Sequence, residues 1–464
     1  MRDRKDRDGL VTSPVERNTT QALTPEHKDE VIWGSTRRIS DDTLIRLTLR
    51  IINDGYRPGN VDCRVVKRTS GTFNKVHVVE FNSGKKYVIR VPRFGTKSSW
   101  KAEDAVALRS QALTMRFISQ KTDLPIPQLI AYDTTHNNEI GHPYIIMTFL
   151  EGSRVCDVWD NEEFSPSLEM RRLKIIKSLA YTMTSLKNIS FDLIGMLHFD
   201  SDENLVPRVG PRYEILQGSE RSCGHGIRKH ESRMYEPLKS SHDLFREMLA
   251  NWWESRYRGE SSIRRQRDRI YYQLLSIMVD CVPSAVSKQS RSPSSWETFV
   301  LAPPDFNWQN ILVNDKGKVT GILDWDTVST VSRFQGWAAT PQWLAWDWDR
   351  NYNWVGDVGN SPLDFARYRQ AYARFMKEAL NGWETVDGMF TAKSHLLCWL
   401  MTALSRKEET KSFLEKIMSV TLPRVNFYRW LDRVSGRGWQ RGEWEFLRGR
   451  LTEVFDCTVE GALL

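Results

Sequence analysis

The segment spanning residues 301 to 326 constrains the fold of this chain more than any other part of the sequence. It reads LAPPDFNWQNILVNDKGKVTGILDWD, in which two strand-like runs, NILVN and VTGILDW, flank the turn-forming DKGK. A hairpin places the start of one strand beside the end of the other, so Asn310 and Asp324 are expected to converge, with Asp305 on the loop leading in. Such oxygen ligands suit Mg²⁺, and a carboxylate outside the metal shell suits proton transfer from a hydroxyl. The alternative interpretation is an ordinary acidic turn on a β-hairpin.

The order of patterns along the chain predicts an α+β protein with two unequal parts. Strand-like runs, VDCRVVKRTSG, KVHVVEFNSG and KKYVIRVPRFG, precede a long helical segment, and another strand, HPYIIMTFLEG, follows it. After Glu151 the pattern is mainly helical. We therefore predict three regions: a disordered polar tail at 1–35, an antiparallel sheet lobe at 36–150, and a helical lobe at 151–464 that carries the hairpin of residues 301–326.

Composition narrows the classes of function. The 464 residues carry a net charge of only +8, and their basic residues form no stripe interleaved with aromatic residues, so we expect no nucleic-acid partner. Since no apolar run approaches the ~18 residues of a membrane span, we expect no membrane association. The N-terminal MRDRKDRDGL is typical of neither a secretory signal nor a transit peptide, which favours a cytoplasmic protein. The six cysteines and nine histidines form no CxxC or HExxH pair, so a disulfide framework or zinc site is not expected.

The block DFNWQN followed by ILVNDKGKVTGILDWD resembles the motif of the aminoglycoside phosphotransferase family, within the protein-kinase-like superfamily. The segment LRSQALTMRFISQKTDLPIPQLIAYD and the Trp-rich stretch after Asp326 are similar to fungal members in particular. The resemblance implies a two-lobed α+β fold and transfer of the γ-phosphoryl group of ATP or GTP to a hydroxyl of a small molecule. It implies that Asp305 and Asn310 are catalytic and that Asn310 and Asp324 hold Mg²⁺.

The resemblance extends to a nucleotide site in the first 150 residues. RTSGTFNKVHVVEF resembles the glycine turn over the phosphates, YVIRVP the strand that carries a basic residue, and HPYIIMTFLEG the last strand and hinge. Strand alternation places Val88 on the same face as Arg90, so the first is expected to touch the base while the second reaches the phosphates. The full set of nucleotide-binding residues implied is Ser70, Gly71, Asn74, Val88, Arg90, Thr148 and Leu150, the last two through backbone groups, with Leu312 as the floor.

Three positions depart from the family pattern. Pro303 stands where the motif has a histidine, Arg90 where it has a lysine, and Gln111 where it has the helix glutamate that pairs with that lysine. An Arg90–Gln111 hydrogen bond remains possible without the ion pair, and Gln111→Glu is expected to raise turnover. The competing hypothesis is therefore a kinase-like binding or scaffold protein with weak or no catalytic activity. Asp326 is interpreted as a loop or capping residue, with a second metal ligand as the alternative.

The acceptor is constrained only by charge and aromatic content. Residues 391–464 contain 12 Lys and Arg and 9 Asp and Glu, a net of about +3, so a polycationic acceptor is disfavoured. The 18 tryptophans favour instead a small hydroxylated molecule with a planar or partly apolar part. A cluster of Trp343, Trp346 and Trp348 is expected either to line this acceptor pocket or to form a bulky core. The sequence leaves the oligomeric state open.

Overall fold

The computed structural model describes residues 33–52, 63–162, 167–217, 230–257, 262–283, 297–355, 359–382 and 386–457. Most of the predicted polar tail, residues 1–32, lies outside this part of the chain. The described residues begin at the buried Trp33, which precedes a short 3-10 helix, Gly34–Arg38.

The N-terminal lobe is a five-stranded antiparallel sheet flanked by two helices. Its strands follow the order β1-β2-β3-β5-β4, so the three consecutive strands form a meander and the last two are reversed. The elements are α1 (Asp41–Ile52), β1 (Cys63–Ser70), β2 (Asn74–Phe81), β3 (Lys86–Pro92), α2 (Ala102–Lys121), β4 (Leu129–Asp133) and β5 (Tyr144–Thr148).

Alternation along β3 determines which side chains face the second lobe. Ile89 and Val91 are fully buried in a cluster that includes Leu44 and Leu47 of α1, three residues apart on one helical face. Since side chains alternate in a strand, the partly buried Val88 and Arg90 occupy the opposite face. Val88 accordingly packs against a separate apolar cluster that extends into the second lobe.

The second lobe is mainly helical, which confirms the predicted fold class. Its strands are short and its helices enclose a second large apolar cluster near the C-terminus. None of the described helices is both long and apolar enough to cross a membrane. The elements are β6 (Ser153–Arg154), α3 (Val155–Val158), α4 (Leu168–Met183), β7 (Leu197–Phe199), β8 (Pro207–Val209), β9 (Arg212–Gln217), β10 (His230–Tyr235), α5 (Ser241–Tyr257), α6 (Ser262–Asp280), β11 (Phe299–Leu301), β12 (Ile311–Val313), β13 (Val319–Ile322), β14 (Thr330–Ser332), α7 (Pro362–Ala379), α8 (Val386–Thr391), α9 (Ser394–Ser405), α10 (Lys407–Thr421), α11 (Phe427–Arg437) and α12 (Glu443–Phe455).

Two hairpins in this lobe, β7–β8 and β9–β10, brace helix α2 and are not predicted by the sequence pattern. The hydroxyl of Tyr213 donates to the buried carboxylate of Asp104 at 2.7 Å, in the first turn of α2. One turn and a half later, Arg109 forms an ion pair of 2.7 Å with Asp202, in the loop after β7. These strands are short and rich in polar residues, so they lack the apolar alternation that distinguishes a strand from a loop.

A buried charge cluster stabilises the helical lobe. Asp347 accepts hydrogen bonds from Arg369 at 2.6 Å and from Lys416 at 3.1 Å, and both side chains of the Asp347–Arg369 pair are 4% exposed. Arg369 also donates to the carbonyl oxygen of Leu344 at 2.7 Å, which ties α7 to the tryptophan-rich segment. Removal of one partner would leave a buried charge without compensation.

We predict that Asp347→Ala lowers the free energy of unfolding by about 3–5 kcal/mol, because the Arg369 guanidinium then stays buried and unpaired. The matched control is Asp42→Ala, which breaks the exposed Asp42–Arg46 pair and is expected to cost less than about 1 kcal/mol. Thermal and urea unfolding of the three proteins compares the two effects. Equal losses in the two variants would contradict a stabilising role for the buried cluster.

Candidate active site

The hairpin of β12 and β13 brings together the three polar residues that the sequence singles out. Ile311 pairs with Ile322, so Asn310 immediately before β12 lies beside the residues that follow β13. The N–H of Leu323 donates to the carbonyl oxygen of Asn310 at 2.7 Å and closes this end of the hairpin. The next residue, Asp324, has a φ of +58°, a left-handed conformation that is costly for a residue with a side chain. Such strain is retained where the surrounding structure over-determines it.

Asp305 is held by two amide side chains. Its Oδ2 accepts hydrogen bonds from Nδ2 of Asn310 at 2.8 Å and from Nε2 of Gln309 at 2.9 Å. Burial raises the pKa of Asp305 above its ordinary value, the negative charge of Asp324 raises it further, and the two amide donors act in the opposite direction. A half-buried carboxylate with a raised pKa beside a second carboxylate is suited to accept a proton.

Arg90 of the sheet lobe contacts two carboxylates that follow β13. Its terminal nitrogen Nη2 lies 3.0 Å from Oδ1 of Asp324 and 2.6 Å from Oδ2 of Asp326. The side chain is only 13% exposed, and its Nε is buried with no hydrogen-bond partner in the described part of the chain. The hydrogen bond from Arg90 to Gln111 that the sequence left possible is not formed, because both side chains donate to Asp326. Arg90 therefore joins the two lobes through carboxylates of the hairpin.

Asp326, expected to be a loop or capping residue, is the meeting point of the two lobes. Its Oδ1 accepts from Nε2 of Gln111 at 2.6 Å, and its Oδ2 accepts from Arg90 and from the amide of Asn74. Burial raises the pKa of Asp326 to about 6, although the adjacent Arg90 lowers it, and the charge of Asp324 adds to the rise. The position of Asp326 two residues after Asp324 is the one signal in the sequence that could have drawn attention to it.

The predicted glycine turn lies between β1 and β2. Ser70 ends β1, and the N–H of Gly71 donates to the carbonyl oxygen of Asn74 at 2.9 Å. Gly71 has no left-handed φ, and a Cβ built on it would come no nearer than 3.8 Å to the carbonyl oxygen of Asn74. The turn therefore does not require glycine. The Asn74 side chain reaches Asp326, so this end of the turn is tied to the hairpin.

The side chains of Leu150 in the hinge and Leu312 in the hairpin lie close together and form an apolar surface. A Cβ added to Gly321 would lie 2.9 Å from Cδ1 of Leu150 and 3.1 Å from Cδ1 of Leu312, so these two side chains close over that glycine. The backbone of Thr148 differs from expectation. Its N–H donates to the carbonyl oxygen of Gln128 at 3.0 Å, because Thr148 ends β5 and is still bonded to the segment before β4. That N–H is therefore not available to a nucleotide base.

The tryptophan cluster is only partly buried in the core. Trp343 and Trp348 are buried in the core, with 0% and 2% exposure. Trp346 is half-buried and meets Trp308 edge to face, with ring centroids 4.3 Å apart. Trp308 is three residues after Asp305, and the N–H of Gln342 donates to the carbonyl oxygen of Phe306 at 2.9 Å. One pair of tryptophans is thus placed beside the candidate catalytic loop.

The donor set fits a magnesium ion that is bound together with phosphates. No group of three or more His, Cys, Asp or Glu side chains is placed to hold a metal ion among the described residues. Asn310 and Asp324 supply one amide and one carboxylate, and Mg²⁺ commonly uses one or two protein groups with phosphate oxygens and water. In the present arrangement Arg90 provides the positive charge next to Asp324.

These features define a two-lobed α+β fold of the kind that the resemblance implies. A small antiparallel sheet with one internal helix leads through a hinge into a helical lobe, whose hairpin contacts the sheet through Arg90 and Asp326. No family model matches the chain.

The chain is similar to fungal proteins named altered inheritance of mitochondria protein 9, mitochondrial. It is 25% identical to that of Meyerozyma guilliermondii over 211 residues, which cover 45% of this chain and 29% of that protein. Identity to the Candida albicans protein is 27% over 185 residues, covering 37% and 28%, and to the Lachancea thermotolerans protein 22% over 388 residues, covering 74% and 60%. The matched region thus spans less than two thirds of each of these relatives.

Solved structures of phosphotransferases have a distantly similar shape. An aminoglycoside phosphotransferase-like protein of Ralstonia eutropha aligns with a TM-score of 0.45 at 14% identity, over 89% of this chain and 98% of that one. A macrolide 2'-phosphotransferase of Brachybacterium faecium aligns with a TM-score of 0.37 at 16% identity, over 80% and 98%. Scores of this size carry no conclusion about activity, and the fold class follows from the sheet order and hairpin described above.

The expected cytoplasmic localisation is wrong in the light of these relatives. The proteins of Meyerozyma, Candida and Lachancea that the chain resembles are all named as mitochondrial. The expectation depended on the acidic residues and the scarcity of apolar residues in MRDRKDRDGL. Composition over ten residues is a weak criterion for the destination of a protein.

We predict that Asp326 makes stability depend on pH. A carboxyl group whose pKa is raised from about 3.9 to about 6 on folding stabilises the protein at low pH, and this contribution is lost as the pH rises through that window. The melting temperature of the wild type, relative to that of Asp326→Asn, should therefore fall between pH 4 and pH 6 and stay constant above pH 6. Arg90 and Asp324 are the charged groups that face Asp326. If the melting temperatures of the two proteins change in parallel between pH 4 and pH 6, the raised pKa of Asp326 is contradicted.

Proposed function

We propose that this protein is a kinase that transfers the γ-phosphoryl group of ATP or GTP to a hydroxyl group of a small molecule. The observation that carries the proposal is the convergence of Asp305, Asn310 and Asp324 at one end of the hairpin, facing a basic residue from the opposite lobe. This arrangement offers a proton acceptor, two oxygen ligands and a cation within one cleft. Phosphoryl transfer requires these elements, since its catalysis depends on positioning and charge stabilisation.

Asp305 is proposed to accept the proton of the acceptor hydroxyl as the oxygen attacks the γ-phosphorus. The new bond joins that oxygen to phosphorus, and the bond from phosphorus to the bridging oxygen of the nucleoside diphosphate breaks. Asn310 holds Asp305 in place through its amide nitrogen, which leaves its amide oxygen to serve as a ligand. Asn310 and Asp324 would hold Mg²⁺, which would offset negative charge on the phosphate oxygens.

Arg90 is proposed to bind the phosphates that are not transferred. Its buried Nε has no hydrogen-bond partner in the described part of the protein, and a buried donor of this kind is satisfied by an oxygen of a bound ligand. A guanidinium can bind two phosphate oxygens in parallel while it keeps a contact with a carboxylate. The apolar floor of Leu150 and Leu312, with Val88 above, would enclose the base.

The acceptor is proposed to be a small hydroxylated molecule with a planar or apolar part. Trp308 and Trp346 form a half-buried aromatic edge beside the loop of Asp305, and aromatic surfaces bind flat or apolar groups. The second candidate function is a kinase-like binding protein without turnover. It is favoured by the neutral Gln111 and by the pairing of Arg90 with Asp324, which would compete with a metal ion.

The test is transfer of label from ATP or GTP, with Mg²⁺, to the small molecules of a metabolite extract, followed by mass spectrometry of the products. We predict that Asp305→Ala reduces the rate by about 10²–10⁴-fold, the usual contribution of a general base. Asp315→Ala, an exposed carboxylate in the turn of the same hairpin, is the matched control and should leave the rate unchanged.

A phosphorylated metabolite that disappears with Asp305→Ala would support the kinase and identify its acceptor. Binding of Mg²⁺–nucleotide without any labelled product across acceptor classes would favour the binding protein. Absence of nucleotide binding would overturn both proposals.

A further prediction concerns the pH dependence of the rate. Gln309 lowers the pKa of Asp305 by donating a hydrogen bond to it, so Gln309→Leu should raise that pKa. The ionised carboxylate is the active base, and activity is therefore lost as the pH falls through its pKa. The acid limb of kcat/KM should thus move to higher pH in the variant.

The control for this experiment is Gln342→Leu, an exposed position at the start of the 3-10 helix Gln342–Trp348 whose side chain makes no contact with Asp305 among the described residues. Its pH profile should coincide with that of the wild type. An acid limb that stays in place in Gln309→Leu would show that Asp305 is not the titrating base.

A further inference from the structure

We propose that Asp326 is the positioning residue that supplies the negative charge opposite Arg90, and that it can do so only because residue 111 is a neutral amide. The proposal rests on the proposed function. It places on the hairpin, at Asp326, the negative charge that the family resemblance would place at residue 111 of α2. The ion pair that holds Arg90 is accordingly formed between the two lobes and not within the sheet lobe.

The first argument is the geometry of the carboxylate. Asp326 receives one hydrogen bond from each of three elements of the N-terminal lobe: Asn74 at the start of β2, Arg90 in β3 and Gln111 in α2. Its side chain is 20% exposed, so these bonds are largely shielded from water. A single carboxylate of the hairpin thus determines the relative positions of the glycine turn, the basic residue and the helix.

The second argument is the distribution of charge around Arg90. Within the described part of the chain its ion pairs are those with Asp324 and Asp326. The acidic residues at the start of α2 do not contribute, because Asp104 is bound to the N–H of Lys101 and to Tyr213. If Asp324 is a ligand of Mg²⁺, then Asp326 is the remaining counter-charge of Arg90.

The third argument explains the neutral residue on α2. Gln111 donates to Oδ1 of Asp326 over 2.6 Å, and a carboxylate in its place would offer no proton and would bring two like charges together. Gln111 and Asp326 therefore form a matched pair in which one member is a donor and the other an ion. Gln111→Glu alone is then expected to lower turnover, the opposite of what the sequence suggests.

The matched pair can be tested by exchanging its members. We expect Gln111→Glu to reduce kcat/KM about tenfold or more by repulsion, and Asp326→Asn to do the same by removing the charge opposite Arg90. The double variant Gln111→Glu/Asp326→Asn keeps one donor, one carboxylate and the same net charge. Its kcat/KM should be at least about tenfold higher than that of the less active single variant. In each single variant the KM for nucleotide should rise by at least as large a factor as kcat falls.

Two matched controls separate the pair from general effects of charge. Gln120→Glu makes the same chemical change at an exposed position of α2, and Asp315→Asn does so in the turn of the hairpin. Both should leave kcat/KM and melting temperature unchanged. If the double variant is no better than the weaker single variant while the wild type is active, the exchange fails and Asp326 has a different role.

A readout without turnover keeps this proposal distinct from the proposed function. The melting temperatures of the wild type, the two single variants and the double variant form a double-mutant cycle, which measures the coupling of the two side chains directly. Positive coupling in a protein that neither binds nucleotide nor transfers phosphate would uphold the matched pair and reject the kinase. Additive effects in an active kinase would reject the matched pair alone.

Discussion

The carboxylate of Asp326 is the interaction on which the arrangement of the two lobes depends. Three elements of the sheet lobe donate to it, and it lies two residues after the carboxylate that is the candidate metal ligand. Burial raises the pKa of Asp326 to about 6, so the folded protein holds this charge at an energetic cost. A buried charge that destabilises the fold is characteristic of a functional site, where position is worth more than stability.

The hairpin itself could be predicted because its signals are local. Two apolar runs around DKGK determine a turn, and the turn determines that Asn310 and Asp324 meet. The face of β3 could be predicted for the same reason, since alternation alone separates Ile89 from Arg90. In each case the relevant contacts follow from periodicity along a few residues.

The partners of these residues could not be predicted in the same way. Gln111 and Asp326 are 215 positions apart, and Asn74 and Asp326 are 252 apart, so no local pattern records that their side chains meet. The resemblance to a family left an Arg90–Gln111 hydrogen bond possible, whereas the side chain of Gln111 donates to Asp326. The hydrogen bond of the Thr148 N–H likewise depends on how β4 and β5 join, which no local pattern records.

The braces on α2 have a mechanical consequence. The helix is attached to the helical lobe at Asp104 through Tyr213, at Arg109 through Asp202, and at Gln111 through Asp326. Three attachments along one helix leave it little freedom to swing independently. Any opening between the two lobes would have to break these contacts, together with the bonds that Asn74 and Arg90 of the sheet make to the same carboxylate of Asp326.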